Sequence, residues 1–130
     1  MRTKLPFTVL KYAMTLDGKT ATVSGKSQWI TGEVARKRVH EDRGRYMAIL
    51  TGVSTVLADN PQLTCRIPGG KNPIRVIADT KLRTPLSSTV VQSARETPTW
   101  IVTAVSDTGR KKAYEDAGCR VLSVPAKEGE

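Results

Sequence analysis

Apolar positions in this chain gather into five short runs, each bounded by turn residues. The first, Phe7-Thr8-Val9-Leu10-Lys11-Tyr12-Ala13-Met14, is rich in β-branched and apolar residues and predicts a strand. Leu16-Asp17-Gly18-Lys19 then turns the chain, and Thr20 to Val23 extends a short strand. Tyr46 to Leu50, Pro73 to Asp79, Thr99 to Thr103 and Arg120 to Val124 predict four further strands. Thr31 reads as a helix N-cap and Glu33 suits the positive end of the helix dipole. Val34, Ala35 and Val39 give that helix a partial apolar stripe, running to about Gly44. Asp107 caps a second helix through Ala117, with Gly118 at its C′ position. Strands alternating with helices predict an α/β fold with a largely parallel sheet. Ligands of such sheets sit where loops leave the carboxyl ends of strands. Asp17, Thr55, Asp59 and Thr80 each follow a predicted strand and are expected to converge on one crevice.

Composition narrows the function classes. At 130 residues, with 38% hydrophobic and 25% charged, one soluble domain is expected. No apolar run approaches the roughly 20 residues of a membrane span, and the N-terminus lacks a signal-peptide apolar core, so a cytoplasmic location is expected. The net charge is +9, but the basic residues are scattered; only Arg36-Lys37-Arg38 and Arg110-Lys111-Lys112 cluster. A nucleic-acid binder gathers such charge into a stripe interleaved with aromatics, which are only 5% here, so no nucleic-acid partner is expected. A general positive field still favours small phosphorylated ligands. Cys65 and Cys119 lie far apart without CxxC spacing and read as free thiols. The single histidine, His40, adjoins Glu41 and Asp42 and reads as part of a solvated helix face; no metal site is expected. No internal repeat stands out.

The richest candidate chemistry lies between Gly52 and Arg66. The preceding strand ends in a Gly-Val-Ser-Thr turn, whose amides and hydroxyls suit a phosphate or nucleotide. Asp59, Asn60 and Arg66 bring further polar groups to the same loop. A second polar loop, Ser24-Gly25-Lys26-Ser27-Gln28-Trp29-Ile30-Thr31, lies upstream and carries a tryptophan.

These residues resemble one family closely, the reductase domain of the riboflavin-biosynthesis deaminase-reductase. The matching stretches are LKYAMTLDGKTAT from Leu10, SGKSQWIT from Ser24, AILTGVSTVLADNPQLTCR from Ala48, PIRVIADTKLRTP from Pro73 and TWIVT from Thr99. They span nearly the whole chain in the family's order. The resemblance implies a dihydrofolate-reductase-like sheet flanked by helices, and reduction of 5-amino-6-(5-phosphoribosylamino)uracil with NADPH. It implies hydride transfer from the nicotinamide to C1′ of the opened ribose, giving a ribitylamino product. By position, Ala13, Trp29, Thr55 and Asp59, with Thr80 as a further member, match NADPH contacts. Ser27, Arg43, Leu63 and Arg66 match substrate contacts, the arginines holding the ribose phosphate. Lys11 and Asp17 are the catalytic candidates, placed for hydrogen bonding around the sugar and for proton management. A homodimer is implied by resemblance alone.

Each role makes physical sense: arginines fork onto phosphate oxygens, Trp29 offers a flat apolar surface, and Asp59 accepts from hydroxyls or amides. Blander readings stand beside them. Trp29 also reads as a core residue, Asp59-Asn60-Pro61 as an Asx turn, Asp17-Gly18 as a hairpin turn and Arg43 as a solvated helix residue. Lys11, inside an apolar strand, favours a ligand or carboxylate partner. Ser54 stands where some family members carry a second glycine. The family's later Gly-rich segment and its zinc deaminase half, with His-x-Glu and Pro-Cys-x-x-Cys, have no counterpart here. The chain is therefore expected to be the first part of one reductase domain, covering 1–130, fused to or working with a deaminase. Two alternatives stay open: reduction of a 2,5-diamino-6-ribosylamino-pyrimidinone phosphate, and a non-catalytic fragment.

Overall fold

Four of the five apolar runs pair into a single sheet. In the computed structural model, which describes residues 5–27 and 30–125, they are β1 (Ala48–Gly52), β2 (Ile74–Ala78), β3 (Thr99–Thr103) and β4 (Arg120–Ser123). All pairings are parallel and the spatial order is β1-β2-β3-β4. Parallel neighbours need crossovers, and these carry α2 (Val53–Asp59), α3 (Thr89–Gln92) and α4 (Thr108–Asp116). A longer helix, α1 (Glu33–Arg45), precedes β1.

Register places Thr51, Ile77, Ile101 and Val121 in one row across the sheet. Ile77 and Ile101 are fully buried, against Val53 and Val56 of α2, Val90 and Val91 of α3, and Tyr114 of α4. Sequential strands joined by crossovers of one hand put every connecting helix on the same face. The other face carries Leu50, Val76, Trp100 and Arg120 in register, none fully buried, with Leu50 69% exposed. There the Arg120 guanidinium lies 4.9 Å from the centre of the Trp100 ring.

One charge lies deep in the core face. Arg75 is fully buried and donates to the carbonyls of Gln62 (3.1 Å), Val90 (3.1 Å), Ser93 (3.1 Å) and Thr97 (2.7 Å), and to Ser93 Oγ (2.9 Å). Five acceptors replace water around the two terminal nitrogens, so the charge is tolerated with no carboxylate paired to it among the described residues, and Nε is left without a partner there. α4 ends as its sequence predicts. The Asp107 carboxylate accepts from Gly109 N (2.8 Å) and Arg110 N (3.2 Å), and Gly118 takes φ +99°.

The chain divides into two compact units, 1–38 and 39–130. The first departs most from the sequence reading. Phe7 to Met14 forms no strand, and neither does Thr20 to Val23; Phe7 is 78% and Leu10 83% exposed. A strand exists only as a member of a ladder, and these segments belong to none among the described residues. In their place are two turns of one design. Thr15 N donates to Lys19 O and Gly18 N to Thr15 O, both at 2.9 Å; seven residues on, Thr22, Lys26 and Gly25 repeat both bonds at 2.9 Å. Gly18 and Gly25 take φ +80° and +78°, the left-handed corner of a three-residue hairpin loop. The paired Thr-x-x-Gly-Lys stretches are thus a short repeat that the sequence reading passed over.

Smaller corrections concern the helices. Gly32, not Thr31, accepts the first helical bond of α1, from Arg36 N at 3.1 Å. The apolar stripe of α1 is not a core stripe: none of its residues is fully buried, and Val34 is 85% exposed. β1 starts two residues later than predicted and runs straight into α2, so Ser54 and Thr55 lie in the first turn of a helix and not in a loop. α3 was not predicted. Its first amide, Thr89 N, is capped by Asn60 Oδ1 at 2.8 Å, while Ser88 at the N-cap position offers no side-chain bond.

Candidate functional site

The segment 60–66 follows α2 and is bound to the fold at nearly every residue. Asn60 (φ 40°) and Leu63 (φ 57°) both hold left-handed backbone conformations that L-residues rarely adopt. Such positions persist only when the surroundings fix them. Asn60 is tied to α3, as above. The Gln62 carbonyl is held by Arg75 at 3.1 Å, and the Leu63 side chain is buried in the core cluster. The Thr64 carbonyl accepts from Arg43 Nη1 at 3.1 Å, Cys65 N donates to Asn72 Oδ1 at 3.0 Å, and Arg66 N donates to His40 Nδ1 at 3.3 Å.

This framework brings Arg43 and Arg66 together. Burial, and then the neighbouring Arg66 charge, pull the Arg43 guanidinium below its ordinary pKa. Arg43 Nε is buried with no hydrogen-bond partner among the described residues. Arg66 is exposed and reaches Gln62 Oε1 at 3.4 Å. Two guanidiniums close enough to repel each other, one with an orphaned donor, suit an anion. Sequence reasoning missed two members of this cluster. His40, read as a solvated face, is half-buried and turned onto residues 65 and 66, and Asn72 clamps Cys65.

A second group lies along the carboxyl edge of the sheet. Thr55 and Asp59 are four residues apart on α2, both exposed on one side, while Val53 and Val56 face the core. At the junction with β1, a Cβ on Gly52 would meet nothing within 4 Å, so there is open space where the first-turn amides emerge. Thr80 follows β2; its carbonyl accepts from Ala104 N and Thr103 Oγ1, both at 3.1 Å, leaving its side chain exposed. Beneath it, the buried Asp79 accepts from Thr84 N and Oγ1, both at 2.7 Å, and Tyr114 donates to the Thr84 carbonyl at 2.7 Å. Burial first, and then Asp79, raise the Tyr114 phenol above its ordinary pKa, so it stays a donor. These groups suit a nucleotide cofactor: a hydroxyl, a carboxylate and free amides around open space.

The remaining candidates lie in the first unit. Lys11 is exposed and in no strand, so the buried setting that favoured a partner for it is absent. Ala13 is half-buried and Ser27 exposed. Asp17 occupies the first hairpin turn, its carboxylate taken by the Thr15 hydroxyl, in a concavity lined also by Lys19, Thr22 and Lys26. Trp29 lies outside the described residues. The Leu63 side chain is in the core, so any ligand contact from that residue falls to its main chain.

A family model described as the RibD C-terminal domain matches residues 6–126. The chain belongs to the RibD C-terminal domain family. Riboflavin biosynthesis protein RibD of Actinobacillus pleuropneumoniae is 49% identical over 127 residues, covering 98% of this chain and 34% of that protein. A 2,5-diamino-6-ribosylamino-4(3H)-pyrimidinone 5′-phosphate reductase of Methanothermobacter thermautotrophicus is 51% identical over 83 residues, 62% of this chain and 38% of that protein. Among solved structures, a diaminohydroxyphosphoribosylaminopyrimidine deaminase/5-amino-6-(5-phosphoribosylamino)uracil reductase from Thermotoga maritima superposes with a TM-score of 0.67 at 35% identity. That match covers 86% of this chain and 37% of that one. The chain thus spans about a third of the length of the RibD relatives it matches. Its sheet has the dihydrofolate-reductase-like α/β fold of RibD reductase domains, as the resemblance implied. Among the described residues, no helix is long and apolar enough to cross a membrane, and no cluster of metal ligands occurs.

Proposed function

We propose that this chain contributes the reductase function of a riboflavin-biosynthesis protein, binding a phosphorylated ribosylaminopyrimidine and NADPH. The observation that carries the reading is the Arg43–Arg66 pair, Arg43 on α1 and Arg66 on a segment clamped from α1, β2 and α3. A preorganised pair of guanidiniums holds a ribose phosphate with charge-assisted, forked hydrogen bonds. Thr55, Asp59 and Thr80 are assigned to the cofactor, with Ala13 and Trp29 from the first unit. When bound, the nicotinamide supplies the hydride that reduces the opened ribose at C1′. Ser27 and the main chain at Leu63 complete the substrate contacts. Lys11 and Asp17 are assigned to the sugar hydroxyls and the proton that accompanies the hydride. A fused deaminase, a homodimer and a cytoplasmic location belong to the same proposal.

A second reading is supported by the Methanothermobacter relative, whose name gives a 2,5-diamino-pyrimidinone phosphate as substrate. The two substrates share the ribose phosphate that Arg43 and Arg66 would hold. Titration of the chain with each pyrimidine, and with NADPH against NADH, separates the readings. Arg66→Ala is expected to weaken the preferred pyrimidine phosphate by roughly 10- to 100-fold, the loss of charge-assisted hydrogen bonds, with NADPH changed little. Equal weakening of both ligands would overturn the phosphate assignment, and binding of neither nucleotide nor pyrimidine would overturn the reductase reading.

A further inference from the structure

His40 stands three residues before Arg43 on α1, and positions so spaced share a helix face. Its Nδ1 accepts from Arg66 N at 3.3 Å, and its carbonyl accepts from Cys65 Sγ at 3.3 Å. Arg43 on the same face holds the Thr64 carbonyl at 3.1 Å. One face of one helix therefore grips three consecutive residues, and the last of them is the exposed arginine of the anion site. We propose that His40 is a positioning residue of this site: its neutral imidazole holds the Arg66 main chain so that Arg66 stands beside Arg43 ready for an anion. The inference rests on the reading of Arg43 and Arg66 as a phosphate receptor.

The chemistry of the contact fixes the form of the ring. Nδ1 accepts only when its lone pair is free, so the proton of the neutral ring sits on Nε2. A protonated ring would turn an N–H donor toward the Arg66 N–H donor and break the contact. The surroundings favour the neutral form. Burial first, then the charges of Arg43 on its own helix and Arg66 on the loop, lower its pKa below 6.5, against a smaller opposite pull from the Thr64 backbone. The Cys65 thiol also lies against His40, at its carbonyl. The arrangement thus makes anion affinity depend on a group that never touches the anion. Protonation adds a charge near the site but releases the arginine, and the second effect outweighs the first.

The test uses the 15N-labelled chain without nucleotide, over roughly pH 5 to 8, where only histidine among ordinary side chains titrates. Sulfate, a dianion throughout this range, is the probe. The Arg66 amide is expected to shift in a single transition that coincides with titration of the His40 ring, at a midpoint below 6.5. Sulfate affinity is expected to fall roughly 3- to 10-fold as pH drops through that transition, the size of one net hydrogen bond. His40→Asn, whose Oδ1 takes the place of Nδ1 without titrating, should keep the high-pH affinity at every pH. His40→Ala should have the low affinity at every pH. An Arg66 amide that ignores the His40 transition while sulfate still binds overturns the role of His40 alone. An Arg66 amide that follows His40 in a chain binding no sulfate overturns the phosphate reading and the proposal with it.

Discussion

Phe7 and Leu10 are as apolar as Ile77 and Ile101, yet the first pair is 78% and 83% exposed and the second pair fully buried. The two units that contain them are stabilised in different ways. In 39–130, every strand has a parallel neighbour and three helices close one face over a continuous core. In the first unit, the hydrogen bonds that shape residues 15–26 are local, each lying within a turn of five residues. Apolar content therefore does not decide burial; a shared ladder and a covering helix do.

The largest test of this contrast removes the charge from the core. Arg75→Leu leaves the Gln62 carbonyl without its donor and takes one donor from each of the Val90, Ser93 and Thr97 carbonyls, which keep Thr99 Oγ1 or Thr97 N. It is expected to cost about 3 kcal/mol in urea unfolding, the upper end of the scale for an unsatisfied buried polar group. A cost below about 1 kcal/mol would mean that the network contributes no more than an average hydrogen bond. Paired glycine substitutions sharpen the comparison. Gly118→Ala meets both a φ of +99° and Arg95 Cγ at 2.7 Å, so about 1–3 kcal/mol of global stability should be lost. Gly18→Ala meets only its φ of +80°, with nothing within 4 Å. Its strain of about 1–2 kcal/mol should open the local turn, seen by amide exchange, and leave the global midpoint unchanged. The smallest effect belongs to Leu16→Ala, expected within about 0.5 kcal/mol because the side chain is fully exposed. A larger loss would show that the first unit draws on its apolar side chains after all.

The legibility of the fold follows the same division. α4 could be read from local chemistry, because Asp107 and Gly118 act on backbone within three residues of themselves. The strands of the second unit could be read because their apolar runs do meet partners. α2 could not: Val53-Ser54-Thr55 carries turn-forming and β-branched residues, and it is helical because Val53 and Val56 pack into the core. Phe7 to Met14 had the composition of a strand without the ladder that would make it one. At the candidate site, Arg43 and Arg66 were named from the family resemblance, and the structure sets their charges close enough to repel. His40 and Asn72 were not, since each acts on main chain whose position depends on the tertiary path: Arg66 lies 26 residues from His40, and Cys65 seven from Asn72. Residues that serve a site through main-chain atoms leave no motif of their own.

The order β1-β2-β3-β4 has a consequence for how such a chain comes into being. Each strand lies beside the one written immediately before it, so the topology allows the sheet to be assembled by accretion, in the direction in which a ribosome releases it. Among the described residues no strand pairs with one distant in sequence, so each new crossover can be laid down against a strand already made. The growing edge is at every stage the most recently finished strand, and the segment that presents Arg66 is framed once β2 and α3 have joined.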